Sequence, residues 1–171
     1  MKISILDTII ICKKTDNKHH VWEGDIFKMD ANTIELLKEC NKGCKMAVES
    51  MKQVKCKIKN PEFKELINKY IKKHRDLEDK SSELLDEYGK CENEPGMMTE
   101  AFSWMTTEMK LMMDDGDGRI AKLMMDGCSM SIQSVSEYIN KYGDASEESK
   151  KLAYKLVDLA EEFMKDLKEY V

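Results

Sequence analysis

Proline and aromatic residues are scarce in this sequence. The 171 residues include only two prolines, and 7% of the chain is aromatic. With so few prolines there are few places where a helix is forced to end, and the chain is rich in Lys, Glu, Leu and Met, which are good helix formers. The composition therefore predicts an all-α protein, of a length that fits one domain with a sizeable core.

Long apolar runs and an excess of basic residues are also missing. A membrane span needs about 18 or more apolar residues in a row, and no stretch reaches that length. Acidic and basic residues are interspersed and the net charge is −5, so the sequence offers no basic face for nucleic acid. We expect neither a membrane nor a nucleic acid among the partners.

The six cysteines have none of the features of a secreted disulfide framework. They are scattered at positions 12, 40, 44, 56, 91 and 128. The apolar stretch Ile3–Cys12 is interrupted by Asp7 and is not followed by a cleavage site of small residues, so it does not predict a secretion signal. These observations favour reduced thiols and a cytoplasmic location.

Motifs of the common enzyme classes are missing as well. The sequence contains no nucleophile elbow, phosphate-binding loop, dinucleotide fingerprint or zinc-protease motif. The acidic stretch Asp114–Gly118 lacks the glycine and the bidentate glutamate of a calcium-binding EF-hand, and it is predicted to be a turn followed by a helix start. We predict that the protein is not an enzyme.

A nine-residue stretch occurs twice, 84 positions apart. GCKMAVESM begins at Gly43 and GCSMSIQSV begins at Gly127, and both follow the pattern Gly-Cys-x-Met-small-aliphatic-x-Ser-apolar. An internal repeat indicates that a structural unit is used twice. We interpret this one as a duplicated helical hairpin.

Apolar residues recur at helical spacing in four long segments. The predicted helices cover about residues 32–57, 61–88 and 119–142, and a fourth extends from the segment 144–147 to the C-terminus. Asn32 and Asn60 are predicted to cap the first two helices, and the capping box Asp144–Glu147 is predicted to start the fourth. The linker Glu92–Gly96 divides the hairpins, and the spacing of Met98–Met112 predicts a shorter helix in the crossover between them.

Residues 1–30 do not share the helical pattern. They include the run Ile9–Ile11, which favours a strand, and we predict an irregular N-terminal extension here. Residues 31–171 are then one domain of two hairpins joined by a single long crossover. That arrangement is the ferritin-like four-helix bundle.

Cysteine and histidine lie at the centres of three of the four apolar stripes. At about 100° per residue, the first stripe centres on Cys44 with Cys40 beside it, and the third centres on Cys128. The second centres on His74, with Glu78 close by on the same face. The fourth helix offers no such residue.

The methionine and glycine of the repeat have a different position from the cysteine. Met46 and Met130 each lie two residues after the cysteine, about 200° round the helix, so they point out of the bundle. We predict that they pack against the crossover or a second subunit, which allows a homodimer through a Met-rich face. The glycine before each cysteine is interpreted either as permitting close helix approach or as replacing a side chain that would crowd the centre of the bundle.

The helix spacing, the segment Phe102–Met105 and the return Asp117–Ala121 resemble a bacterial ferritin-like domain family of unknown function, over about residues 30–171. In ferritin-like carboxylate proteins the first and third helices each supply a Glu, and the second and fourth each supply Glu-x-x-His, to two metal ions. In this sequence Cys44 and Cys128 stand near the places of the two Glu residues, and the fourth helix has no His. The resemblance therefore implies a bundle without a di-iron ferroxidase centre.

Three hypotheses remain for the inward-facing residues. In the structural one, the cysteines pack as small apolar side chains and His74 bonds to a neighbour such as Glu78. In the second, Cys44, Cys128 and His74, with Cys40 or Glu78, bind zinc or copper(I). In the third, Cys44 and Cys128 form a reversible disulfide, which requires Cα atoms within about 7 Å.

The function predicted from the sequence is non-catalytic. We expect a ferritin-like bundle with a structural or protein-interaction role, which needs no cofactor and whose protein partner the sequence does not identify. The alternative is a metal-binding protein with a buried thiolate and imidazole site.

Overall fold

The computed structural model describes residues 23–88 and 116–171, with side chains from residue 31 onwards. Within these ranges the chain is α-helical and contains no strand, so the predicted all-α class is confirmed. The helices are α1 (Glu23–Lys55), α2 (Pro61–Glu87), α3 (Gly116–Lys141) and α4 (Glu147–Leu167), followed by a 3₁₀ turn, Lys168–Tyr170. The predicted crossover helix lies outside the described residues, as do residues 1–22 of the predicted irregular extension 1–30. Residues 23–30 of that extension are helical, so the prediction of irregular structure is wrong there.

Helix α1 begins earlier than predicted. Its first residue is Glu23, so Asn32 lies inside the helix and the predicted cap at Asn32 is wrong. The stretch before Asn32 contains no proline, and helix formation is cooperative, so a helix that is packed along its later turns extends back over such a stretch. The helix runs across residue 30, while the proposed boundary between the extension and the bundle stays a prediction.

The caps of α2 and α4 are formed by local side chains. As predicted, Asn60 caps α2, and its Oδ1 accepts from the backbone N–H groups of Glu62 and Phe63 at 2.8 and 3.1 Å. Helix α4 is capped by Ser146, whose Oγ accepts from Ser149 N at 3.2 Å. The predicted cap at Asp144 is wrong, because the chain is still turning there: Ala145 N donates to the carbonyl oxygen of Tyr142 at 2.9 Å.

The helices pack as two hairpins, and α1 touches all three other helices. Side chains of α1 meet the second half of α2 although a short turn joins the two, so α1 and α2 are antiparallel. Helices α3 and α4 form the second hairpin. Rings of α2 stack on the end of α4: Phe63 lies 4.4 Å from Tyr170 and Tyr70 lies 4.2 Å from Phe163, as distances between ring centroids.

Each hairpin holds the turn of the other by a side-chain hydrogen bond to backbone. Thr33, in α1, accepts from Ser146 N at 2.8 Å, immediately before α4. Asp117, in α3, accepts from the backbone N–H groups of Lys59 and Asn60 at 2.8 and 2.7 Å, immediately before α2. We call these two sets of bonds the clasps. Thr33 and Asp117 are 84 positions apart, which is the spacing of the sequence repeat.

The clasps fix the directions of the helices. Because Thr33 in the first half of α1 lies beside the turn between α3 and α4, and Asp117 at the start of α3 lies beside the turn between α1 and α2, α1 and α3 are antiparallel. Helix α2 is antiparallel to α1 and therefore runs in the same direction as α3. The last residue of α2 and the first of α3 lie at opposite ends of the structure.

Most residues predicted to face inward are buried. Val171 is an exception, with 58% of its surface exposed, because α4 ends at Leu167 and the 3₁₀ turn redirects the last residues. Ile34, Ala47, Tyr88 and Ile132 are half-buried. None of the helices in the described part of the chain is long and apolar enough to cross a membrane.

Candidate functional site

The cysteines and the histidine predicted to face inward lie in the core. The exposed fraction is 1% for Cys40, 0% for Cys44, 7% for Cys128 and 4% for His74. Glu78 is half-buried beside them on α2. The helical stripes of the sequence thus place these side chains on the correct faces of their helices.

Burial makes all three core thiols poor sources of thiolate. It raises the pKa of Cys40 to about 12, with a smaller contribution from Glu39. The pKa of Cys128 is also raised to about 12, by burial. For Cys44, burial raises the pKa further, and the neighbouring Cys40 and Glu78 add to the increase. Since the thiolate is both the nucleophile and the metal ligand, these neutral thiols pack as small apolar groups.

His74 is neutral and is held by its own helix. Its Nδ1 lies 2.8 Å from the carbonyl oxygen of Tyr70, and because a carbonyl can only accept, Nδ1 carries the hydrogen. The pKa of His74 is lowered, mainly by burial and also by Lys73, against the opposing effect of that hydrogen bond. The hydrogen-bond partner of His74 is therefore one turn back along α2, whereas the sequence suggested a neighbour such as Glu78.

The candidate residues divide into groups. At the interface of α1 and α2, Cys40 and Glu78 are near enough to Cys44 to raise its pKa. The pKa of Cys128 is raised by burial. In the described part of the chain, no three His, Cys, Asp or Glu side chains are arranged to hold a metal ion. Cys40, Cys44, Cys56 and Cys128 are free thiols, so Cys44 and Cys128 are not joined as a disulfide.

Asn41 is a buried polar residue that the sequence reasoning missed. Its side chain is completely buried between α1 and α2. Its Nδ2 lies 3.1 Å from the carbonyl oxygen of Glu78, 2.9 Å from Ser81 Oγ and 2.8 Å from Ser82 Oγ. Its Oδ1 has no hydrogen-bond partner among the described residues. The available signal was its position in the stripe, one turn before Cys44, where a polar residue needs an explanation.

The methionines of the repeat differ in exposure. Met46 is half-buried, whereas Met130 is 54% exposed and is one of the few large apolar side chains on the described surface. The position of Met130 agrees with the prediction that it points out of the bundle. The methionines of the segment 97–113 lie outside the described residues.

The glycines of the repeat are not required by close packing. A Cβ atom added at Gly127 would have no neighbour within 4 Å, and one added at Gly43 would lie at an ordinary contact distance of 3.5 Å from Leu156 Cδ2. The interpretation that these glycines permit close helix approach is therefore wrong. The tighter glycine is Gly118, where an added Cβ would lie 3.3 Å from the carbonyl oxygen of Tyr170.

Comparison with known proteins assigns no family to this chain. No protein-family model matches it, and no curated protein or solved structure matches it significantly. The chemistry of the candidate site depends on three neutral thiols, a neutral imidazole and a buried amide.

Proposed function

We propose that the protein is a duplicated, ferritin-like four-helix bundle with a structural or protein-interaction role and without a di-iron ferroxidase centre. The direction of the helices supports the ferritin-like part of the proposal. Helices α2 and α3 run in the same direction, as they do where one long crossover joins two antiparallel hairpins. The predicted short crossover helix belongs to this proposal.

The clasps support the duplication. Thr33 in α1 and Asp117 in α3 are separated by the 84 positions of the sequence repeat, and each accepts from the backbone just before the second helix of the other hairpin. Asn60 and Ser146, the caps of those second helices, are the residues held. A duplicated unit would produce this reciprocal pattern, with the repeat of nine residues as its clearest trace in the sequence.

The non-catalytic role is supported by the side chains at the centres of the apolar stripes, which are neutral and buried. Cys44 and Cys128 are buried neutral thiols, and His74 is a buried neutral imidazole that bonds to its own helix. Di-iron chemistry in this architecture depends on carboxylates that project inward from all four helices. The filling described here is typical of a packed core.

The interaction role rests on one face of α3. From Leu123 to Ser136 the sequence is LMMDGCSMSIQSVS, which contains one charged residue, Asp126. The exposed positions of α2 and α4 are mostly charged, whereas this part of α3 exposes Met130, glutamine and serine, with the single charge of Asp126 one turn before Met130. A face with one charge and an exposed methionine suits contact with another protein, and we propose a homodimer through it.

Light scattering coupled to size exclusion tests the homodimer. We expect a dimer for the parent protein and a shift to monomer for Met130→Lys. Tyr154→Lys is the matched control, because Tyr154 is exposed to a similar extent, 55% against 54%, but lies on the charged outer side of α4. A parent protein that is monomeric at high concentration, or a dimer that survives Met130→Lys, would contradict the proposal.

A metal-binding role is the second candidate, because Cys40, Cys44 and Glu78 are neighbours at one helix interface. Zinc or copper(I) would suit thiol ligands after deprotonation. Titration of the reduced protein with each metal, for the parent, Cys44→Ser and Cys128→Ser, tests this role, with the exposed Cys56 replaced by Ser as the control. Stoichiometric binding lost in Cys44→Ser would favour it, and binding unaffected by both core substitutions would eliminate it.

The cytoplasmic location also remains a proposal. Its support is that each described cysteine is a free thiol, which is usual for proteins kept in a reducing compartment.

A further inference from the structure

The two halves of α2 are held in different ways. The first half is joined to α4 by ring stacking and charge: Tyr70 stacks on Phe163 and donates to Asp166 at 2.7 Å, and Lys73 bonds to Glu162 at 2.7 Å. The second half, from Leu77 to Glu87, meets α1 at the buried amide of Asn41. Aromatic packing and hydrogen-bonded charge therefore join one half to α4, whereas the other half packs Leu77 and Leu85 into the core beside a buried polar contact.

The contact at Asn41 is incompletely satisfied. Its amide carries two hydrogens and faces three acceptors, so all three cannot be bonded fully at once. On the other side of the amide, Oδ1 is buried and has no hydrogen-bond partner in the part of the chain that the structure describes. A buried acceptor without a partner loses its hydration and gains nothing in return, so the closed state here is less stable than an apolar interface of the same size would be.

Charge weakens the same half of α2 independently. Residues 77–87 read LEDKSSELLDE, with five acidic residues and one lysine. The helix ends with Asp86 and Glu87 and has no basic residue in its last turn. The C-terminal end of a helix carries partial negative charge, so acidic residues there destabilise the last turns.

Two core thiols lie on α1 next to this contact. Cys40 directly precedes Asn41 in α1, and Cys44 follows it by one turn. Cys44 and Asn41 both face the stretch of α2 that contains Glu78. Cys128 lies on α3, which belongs to the other hairpin.

We propose that the second half of α2, from Leu77 to Glu87, opens from α1 as a local unit and exposes Cys40 and Cys44 while Cys128 stays buried. The device makes two thiols accessible without global unfolding, and it does not depend on the proposed homodimer. Local openings of this kind have lower free energies than global unfolding.

Alkylation of the native, reduced full chain with iodoacetamide tests the proposal. The modification of each cysteine is followed by mass spectrometry of its peptide, and the exposed Cys56 reports the rate of an open thiol. The closed structure alone predicts that Cys128, at 7% exposed, reacts before Cys40 and Cys44, at 1% and 0%. The proposal predicts the reverse order, with Cys40 and Cys44 modified together and about tenfold faster than Cys128.

Two variants locate the origin of the opening. The double substitution Asp86→Lys/Glu87→Lys reverses the charge at the helix end and should slow the modification of Cys40 and Cys44 about tenfold, with Cys128 unchanged. Asn41→Leu removes the unpartnered acceptor and should also slow both. The control Asp158→Lys/Glu161→Lys makes the same change of charge at exposed positions on α4 and should change none of the three rates.

Three results would overturn the proposal. In one, Cys128 reacts first. In another, the three core thiols react at the same rate, which would indicate global unfolding as the common route. In the third, the helix-end variant and the α4 control have the same effect, so that the charge at the end of α2 does not matter.

Discussion

The two copies of the nine-residue repeat have different surroundings. The copy on α1 lies on a helix that, like α4, contacts all three others, and from Asn41 to Met51 none of its residues is exposed. The copy on α3 lies at an edge, where Met130 is 54% exposed and a Cβ at Gly127 would meet nothing. Similar sequences therefore support a central helix in one hairpin and a peripheral helix in the other, and equivalent substitutions should have unequal effects.

The largest difference in unfolding free energy between the two copies is expected when the repeated cysteine is replaced by aspartate. Cys44→Asp places an ionisable group at a position without solvent, and it should cost more than about 4 kcal/mol of unfolding free energy. Cys128→Asp should cost about 2–3 kcal/mol, because Cys128 keeps 7% of its surface exposed and the new carboxylate can turn towards water. Urea unfolding of both variants measures the two losses of unfolding free energy. Equal losses would contradict the proposed difference between the two copies.

A pH effect should come from the first hairpin. His74 is the fourteenth residue of α2, and the fourteenth residue of α4 is Ala160; both are buried. Since the pKa of His74 is lowered on folding, the unfolded chain binds more protons below the ordinary histidine value near 6.5. Unfolding free energy should therefore fall as the pH drops from 6.5, by up to about 1.4 kcal/mol per pH unit, until the folded form also protonates.

Urea unfolding at pH 7 and pH 5.5 for the parent and for His74→Leu measures this effect. The variant should lose the pH dependence in this window. The carboxylates of Glu162 and Asp166 have lowered pKa values, so the stability they add is lost only at lower pH, below their unfolded values near 4. An identical pH profile for the variant would show that His74 is not the group responsible.

Alanine substitutions of the glycines should change the unfolding free energy by about 1 kcal/mol, to a different extent in the two copies of the repeat. Gly127→Ala should raise the unfolding free energy by about 1 kcal/mol, because alanine is the better helix former and its Cβ enters open space. Gly43→Ala should give slightly more, because its Cβ also gains an ordinary contact with Leu156 at 3.5 Å. Gly118→Ala is the control for a tight site and should stabilise least or destabilise, because of the carbonyl at 3.3 Å. Thermal melts rank the three, and a different order would contradict the description of these sites.

The smallest difference is expected for the methionines. Met46→Ala should cost about 1 kcal/mol, because Met46 is half-buried, whereas Met130→Ala should stay within about 0.5 kcal/mol. Both values come from urea unfolding at a concentration low enough to keep the protein monomeric. A larger cost for Met130 under those conditions would mean that it packs within its own chain.

Local patterns predicted what depends on a few neighbouring residues. Asn60 and Pro61 mark the start of α2 because a cap acts within three residues, and the stripes through Cys44, His74 and Cys128 assign the buried faces because helical periodicity is regular. The composition likewise predicted an all-α chain. These properties depend little on where the other helices lie.

Properties that depend on packing were not predictable in the same way. Helix α1 extends back to Glu23, before the predicted cap at Asn32, because tertiary packing stabilises a helix that local signals would have ended. Facing directions alone did not show whether Cys44, His74 and Cys128 meet, because that depends on how far each helix is shifted along its neighbours. No motif in the sequence predicts how far one helix is shifted along another.

The clasps also bear on how two molecules could combine. Thr33 holds the turn before α4, and Asp117 holds the turn before α2, so every clasp joins one hairpin to the other. Nothing in this geometry requires the two hairpins to belong to the same chain. Two molecules could exchange hairpins and keep both clasps and the stacking between α2 and α4, which makes this bundle a natural candidate for domain swapping.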